Sequence, residues 1–351
     1  MLSFTYDQLA GRVVFGAGSL DRLAEEVERL GIRRVLVLST PGKRSLAEEA
    51  ARRLGRRVAG IHAAAVMHVP VEVARTGAAE ARRLDADGTV AIGGGSTIGL
   101  AKGIALESGL PIIAVPTTYS GSEMTNIQGL TERGVKRTVR DRKLLPRTVI
   151  YDPLLTLDLP ARVSGPSGIN AIAHSVEALY APDGNPVISL IAEEGIRAIA
   201  RSLPKVVEAP RDEEARGDAL YGAWLCGAAL GAVSMSLHHK LCHTLGGSFD
   251  LPHAETHTIV LPHAARYNES AAPAAMARVA RALGAEDAPG AIFDLARRIG
   301  APIALKDIGM KESDLDRAAE LATQNPYQNP RPVERDAIRT LLDAAFHGQR
   351  P

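Results

Sequence analysis

The stretch GTVAIGGGSTIGLAKGIALESGLPIIAV, residues 88–115, decides the fold. It opens with a β-branched run (GTVAI, 88–92) and turns on Gly93, Gly94, Gly95 and Ser96. It then runs into a helical pattern, STIGLAKGIALESG, and closes on a second β-branched run, PIIAV (111–115). Glycines lack Cβ, so the backbone there can approach phosphate oxygens closely. The free N–H groups of a starting helix, with its dipole, then favour an anion. Strand, glycines and helix in that order are the context a phosphate-binding turn requires. The same glycines also suit a tight turn that needs only positive φ, and the motif alone leaves both readings open.

Working outward, further β-branched runs stand at RVLVL (34–38), RVAGI (57–61) and RTVIY (147–151). Between several runs lie the amphipathic patterns SLDRLAEEVERLG, SLAEEAARRLG and VEVARTGAAEARRLD. This alternation predicts a parallel sheet covered by helices on both faces. After Asp152-Pro153 the chain becomes rich in alanine and reads almost entirely as helix, as in NPVISLIAEEGIRAIARSL and GDALYGAWLCGAALGAV. The expected division is an α/β lobe over 1–155 and an all-helical lobe over 156–351, with the boundary near DPLLTLDLP (152–160). Such a pair of lobes leaves a cleft, a common place for a ligand.

A chain of 351 residues with 46% hydrophobic and 23% charged residues can bury a sizeable core. Its net charge of +1 lacks the chain-wide basic excess of a nucleic-acid binder. Two cysteines, Cys226 and Cys242, make no disulfide framework and fit a reducing compartment. The opening MLSFTYDQLAGR has no basic segment before an apolar run, and no uninterrupted apolar stretch spans a bilayer. The expectation is a soluble cytoplasmic protein with neither nucleic-acid nor membrane partners.

Two more loops bear on ligand binding. Gly16-Ala-Gly18 precedes a helix but has Asp21 where the third glycine of G-x-G-x-x-G belongs, and reads as a turn. PTTYSGSE (116–123) follows the run PIIAV, where ligands gather in open α/β sheets. Its hydroxyls on Thr117, Thr118, Ser120 and Ser122 suit a phosphate or an amide; the alternative is a solvated loop.

Six of the ten histidines fall between 238 and 263, in LHHKLCHTLGGSFDLPHAETHTIVLPH. His239 and His243 are four apart and share a helical face, and His253 follows beyond a Gly-Gly loop. Upstream, Asn170 and His174 repeat that spacing. Two inward i, i+4 pairs suit a metal or a catalytic cluster. Asn170 is a poor neutral ligand, and Cys242 points off the His239 face, so an uncharged or partly protonated pocket is expected over a tight metal cage. For His62, His68, His257, His263 and His347 the expectation is an ordinary hydrogen-bonded residue.

GGGS (93–96), PTTYSGSE (116–123), NAIAHSVEA (170–178) and HKLCHTLGG with the later PH (239–253) together resemble the iron-containing alcohol dehydrogenase superfamily over essentially the whole chain. The resemblance implies the dehydroquinate synthase-like fold: a dinucleotide-binding lobe, then an all-helical catalytic lobe. NAD(P) and a metal lie in the cleft of such proteins. It puts the family's metal ligands on Asn170, His174, His239 and His253, and its further active-site histidine on His243. The family has Asp where this chain has Asn170. That change, the short length and the ending NPYQNPRPVERDAIRTLL resemble the branch that reduces the carbon–carbon double bond of maleylacetate to 3-oxoadipate in aromatic-ring breakdown, regarded as metal-independent. The implied partners are a small dicarboxylate substrate and, as a homodimer, a second copy of the chain.

The resulting expectation is catalysis by His243, His239, His253 and His174, with His243 as proton donor or enolate stabiliser. The other three form a partly cationic lining. Asn170, Lys240 and Thr118 would meet the substrate. Gly93, Gly94, Gly95, Ser96, Thr97, Thr117, Thr118, Ser122, Thr40 and Lys136 would meet NADH or NADPH, and no metal is expected. Many relatives carry Asp after the run RVLVL, where this chain has Ser39-Thr40; hydroxyls there do not repel a 2′-phosphate. The competing readings are a metal-dependent alcohol or polyol dehydrogenase, with three histidines holding zinc or iron, and a nucleotide-binding protein without catalysis.

Overall fold

The computed structural model describes residues 4, 6, 9, 11–67, 69–132, 135–324 and 327–351, with the side chains of 130–137 outside the description. The chain divides into Gln8–Asp158 and Leu159–Pro351, the latter grouped with Met1–Asp7. The division falls just past the 155/156 boundary expected from the prolines.

In the first unit six parallel strands form one sheet: β1 (Arg12–Phe15), β2 (Val35–Leu38), β3 (Val58–His62), β4 (Gly88–Gly93), β5 (Ile112–Pro116) and β8 (Thr148–Tyr151). Between β5 and β8 lies a separate antiparallel hairpin of β6 (Ile127–Glu132) and β7 (Val135–Arg140), which the run-by-run reading did not anticipate. The sheet order is β1-β8-β5-β4-β2-β3. Strands β2, β4, β5 and β8 are buried at every residue, because helices cover both faces, whereas β1 and β3 lie at the edges and are partly open.

Side-chain alternation sorts the two faces. Val35, Val37, Val90, Ile92, Ile113 and Val115 pack with residues of α1 (Leu23–Arg29) and α2 (Arg44–Leu54). Leu36, Leu38, Ala91 and Ile112 pack with α3 (Val71–Arg83) and α4 (Gly95–Ser108). Helix α4 is buried without a break from Thr97 to Ala105. The chain runs from β2 outward to β3, then returns past β2 to β4, so the winding reverses between β2 and β4. That reversal opens a crevice at the strands' carboxyl ends, where Thr40 and Gly93 stand. Gly16 and Gly18 form the expected turn, with positive φ, and Asp152 accepts from the Gly18 and Leu20 amides at 3.0 Å.

The second unit is helical: α5 (Ala161–Ala178), α6 (Pro186–Glu208), α7 (Glu213–Ala232), α8 (Leu237–Phe249), α9 (His253–Glu269), α10 (Pro273–Leu283), α11 (Ala288–Arg298), α12 (Leu315–Thr323) and α13 (Arg335–His347). Helix α5 is its axis, buried from Ser164 to Ala178. Asn185, Asp212 and Asp287 cap the starts of α6, α7 and α11 with their side-chain oxygens. Arg216 is fully buried and donates to the carbonyls of Leu159 and Pro210, which ties the unit's first turn to α7. Among the described residues no single helix is long and apolar enough to cross a membrane.

Candidate active site

Two sets of functional residues take shape, one in each unit. In the first unit β4 ends at Gly93, whose φ of 154° belongs to glycine. A Cβ there would stand 2.4 Å from Thr97 Oγ1. Gly94 and Gly95 have ordinary φ, so the turn alone does not demand them. Clearance favours glycine at 94, where a Cβ would stand 3.0 Å from Thr118, whereas a Cβ on Gly95 would make only ordinary contact, 3.4 Å from Ser120 Oγ. The glycine turn and the PTTYSGSE loop therefore nest against each other, and the Thr117 amide donates to the Gly93 carbonyl at 3.0 Å.

Helix α4 begins there with no side-chain cap, and the buried Thr97 hydroxyl has no hydrogen-bond partner. An uncapped helix start ringed by small residues and hydroxyls fits a phosphate, and with it a dinucleotide. At the end of β2, Ser39 Oγ donates to the Thr40 carbonyl at 3.1 Å. The Ser122 hydroxyl and carbonyl both accept from Lys102 Nζ. Burial, opposed by the Glu123 carboxyl, pushes Lys102 down to about 7. Lys136 and His68 fall outside the residues or side chains described.

In the second unit, α5 carries Asn170, His174 and Glu177 along one face, α8 carries His238, His239, Cys242 and His243, and α9 begins with His253 and adds His257. The Gly246-Gly247 pair, expected as a loop, lies inside α8. A glycine costs a helix only about 1 kcal/mol, and the turn comes later, at Asp250 in the left-handed region (φ 55°).

Six imidazoles form one contiguous array. His174 stacks on His239 at 5.2 Å between centroids, and His239 reaches His243 at 6.2 Å and His257 at 5.0 Å. His257 in turn lies 4.2 Å from His253 and 4.8 Å from His238. His257, read from the sequence as ordinary, is thus a member of the array, and His238 Nε2 lies 3.0 Å from its Nδ1. Lys240 directs its ammonium over the Tyr327 ring, 5.7 Å from the centroid.

Glu177, absent from the sequence reading, organises this array. Its carboxylate is fully buried and lies 2.6 Å from His239 Nδ1. It also accepts from the backbone amides of Ser236 (3.0 Å) and His238 (2.7 Å), at the start of α8. That helix has no side-chain cap of its own, so a carboxylate from α5 supplies the acceptor and the favourable charge at its positive end. With Nδ1 turned to Glu177, His239 presents Nε2 on its other side.

Burial, helped by the neighbouring imidazoles, holds His174, His238 and His257 well below the ordinary histidine range. That direction favours the neutral form of His174, against the cationic lining expected at that position. Asn170 Oδ1, His174 Nδ1, His239 Nε2 and His257 Nε2 are buried without hydrogen-bond partners. Orphaned polar atoms of this kind each cost about 1–3 kcal/mol and mark a place built for something else to bind.

Three of these atoms sit on positions that the resemblance assigns to metal ligation. Their donor set is an amide and neutral imidazoles, with no anion to offset a buried divalent charge, and Glu177 is already engaged by its donors. Such a set is poorer for a tightly held divalent metal than one with a carboxylate at position 170. A second cluster, His238, Cys242 and His257, brings its ligand atoms within 4.8 Å of one another, but His238 and His257 satisfy each other. Burial and Glu177 push the Cys242 thiol well up, away from the thiolate a metal needs.

The sequence models of the iron-containing alcohol dehydrogenase family match both units, the iron-containing alcohol dehydrogenase model over residues 10–153 and the C-terminal model over 165–346. The chain belongs to this family. It is 60% identical to the maleylacetate reductase of Burkholderia cepacia over the full length of both proteins. The crystal structure of maleylacetate reductase from Agrobacterium tumefaciens superposes with a TM-score of 0.97 at 55% identity, covering all of both chains. A more distant likeness is 1,3-propanediol oxidoreductase, 31% identical with a TM-score of 0.92, covering 97% of this chain and 100% of that one.

Proposed function

We propose that the chain is a maleylacetate reductase that converts maleylacetate to 3-oxoadipate with NADH or NADPH and without a catalytic metal. The observation that carries the metal-free reading is the donor set: Asn170 stands where the resemblance puts an anionic ligand, and it shares orphaned atoms with His174, which burial holds well below the ordinary histidine range. Full-length identity of 60% to a maleylacetate reductase supports the substrate. A homodimer, implied by the resemblance, working in the cytoplasm, as the two unpaired cysteines suit, completes the reading.

The substrate is a dianion with a ketone conjugated to an alkene. When bound, the nicotinamide supplies a hydride to the alkene carbon β to the ketone. The enzyme's own residues must then hold the negative charge that develops on the ketone oxygen and deliver one proton to the α carbon. Neutral imidazole N–H groups suit the first task, since donors fixed in a dry site need no reorganisation as charge develops. His174 is such a group, locked by burial. Glu177 fixes the ring of His239 through Nδ1, which leaves Nε2 as an acceptor turned to the substrate. His243 delivers the proton, a role imidazoles fill near neutrality. Because conjugation spreads the charge, the donors His174 and His243 replace a Lewis acid.

Ser39 spends its hydroxyl on the neighbouring carbonyl, and neither Ser39 nor Thr40 is charged. NADH and NADPH are therefore expected to differ by less than about a hundredfold in kcat/KM, roughly 2.7 kcal/mol. The deciding experiment mixes EDTA-treated, desalted protein with maleylacetate and NADH and follows the nicotinamide absorbance. Rapid oxidation is expected. No oxidation, with activity on a simple alcohol restored by zinc or iron, would overturn the reading.

A further inference from the structure

We infer that Lys102 is a positioning residue for the nicotinamide cofactor, clamping the phosphate-binding helix to the loop that faces it. The inference rests on the reading of the first unit as a dinucleotide site. Lys102 lies on α4, two turns beyond the uncapped start at Gly95, and is fully buried. A lysine in that position is costly unless its amine is satisfied. Its Nζ lies 2.7 Å from the Ser122 carbonyl, 3.3 Å from the Ser122 hydroxyl, 2.8 Å from Thr125 Oγ1 and 2.8 Å from the Ile127 carbonyl. All four neighbours are oxygens, and all belong to the stretch from Ser122, near the end of PTTYSGSE, to Ile127 at the start of β6.

The same segment is held from another direction. Glu123 is fully buried, accepts from the Tyr151 hydroxyl of β8 at 2.9 Å, and lies 3.3 Å from Ser120 Oγ. Ser120 and Thr118 are the residues that nest against Gly95 and Gly94. The glycine turn itself holds the loop through the Thr117 amide on the Gly93 carbonyl and offers no side chain to grip it, so the side-chain anchor between the two halves of the cradle is Lys102. It sits behind the cradle, where it orders both halves and has no need to touch the cofactor.

The assignment predicts a division between cofactor binding and turnover. In Lys102→Met the Kd for NADH, read by quenching of protein fluorescence, and the KM for NADH rise about tenfold, in line with losing hydrogen bonds from a buried amine. The KM for maleylacetate and kcat at saturating NADH stay within about threefold. Without any cofactor, backbone amides of residues 117–127 exchange hydrogen faster than in the wild type, while those of the second unit do not change. Thr125→Val removes one acceptor at nearly constant shape and gives a smaller change of the same kind. An unchanged Kd for NADH in Lys102→Met, with or without a lower Tm, overturns the assignment. If that variant fails to fold, an unchanged Kd and unchanged exchange in Thr125→Val overturn it instead. Failure of the wild type to bind NADH sinks the reading of the cradle itself, which is a different outcome.

Discussion

Replacing Glu177 by Gln tests whether the second unit's chemistry depends on a residue that holds a histidine. The carboxylate accepts from the amides of Ser236 and His238, lies against His239 Nδ1, and receives a longer bond of 3.4 Å from the Tyr180 hydroxyl. Glutamine keeps one acceptor oxygen and turns the other into a donor. If the oxygen stays toward His238, the new NH2 faces both the Ser236 amide and His239 Nδ1. Stranding the Ser236 amide costs about 1–3 kcal/mol, and losing a carboxylate at the start of α8 costs up to about 2 kcal/mol more. His239 has one escape, which is to move its proton from Nδ1 to Nε2. Its free nitrogen then changes from an acceptor to a donor where it meets the substrate. Removing a carboxylate that fixes a functional histidine typically costs about 10–100-fold in activity. Urea unfolding and steady-state kinetics with maleylacetate measure the two effects separately. The expected result is a loss of about 2–4 kcal/mol in stability and at least tenfold in kcat, with the KM for NADH unchanged. A variant with wild-type kcat would show that the 2.6 Å contact to His239 serves only to start a helix.

Three other expectations follow from the same array. His243→Ala should lower kcat by about 10²–10⁴-fold with NADH affinity intact, as for loss of a general acid; near-normal turnover would remove His243 from the mechanism. Asn170→Asp restores the missing anion, so zinc analysis after dialysis should find about one equivalent in the variant and little in the wild type; equal metal in both would show that the amide was no obstacle. Burial lowers His263 from 6.5 to about 4, and His174, His238 and His257 are held lower than usual as well. Below pH 6.5 the unfolded chain gains protons at these sites while the folded chain does not, so stability must fall as the pH drops from 6.5 toward 4. Each such histidine contributes up to about 1.4 kcal/mol per pH unit, and a urea midpoint that stays flat between pH 7 and 5 would contradict this.

The parts of the fold that announce themselves in sequence are those buried on both sides. RVLVL, GTVAI, PIIAV and RTVIY became β2, β4, β5 and β8, because a strand between two helical layers has no polar face to dilute its apolar run. Edge strand β1, RVVF, carried the same apolar signal in a shorter stretch between glycines and was passed over, whereas the hairpin of β6 and β7 has mixed polarity and no Asn-Gly or Asp-Gly turn to mark it out. Asn170 with His174, and His239 with His243, were legible from helical spacing. Glu177 carried the same signal, three residues past His174 on the same face, and so did His257, four past His253. They escaped because spacing within one helix cannot tell which neighbouring helix start lacks a cap, or which ring another ring will meet. The clearance at Gly94 was equally hidden, since it depends on Thr118 arriving from a different strand end.

The place of β1 in the sheet sets a timetable for synthesis. Arg12 pairs with Thr148 and Phe15 with Tyr151, so the first strand of the unit to be made is joined by its last. At about 5–20 residues per second, the roughly 130 residues between them take on the order of ten seconds to appear. Throughout that interval β1 has no strand to pair with, and β5, once made, keeps an open side until β8 follows it. The first unit therefore closes only when its final strand slides between β5 and β1, and a nascent chain stalled before Thr148 carries an unfinished sheet that a chaperone must shield.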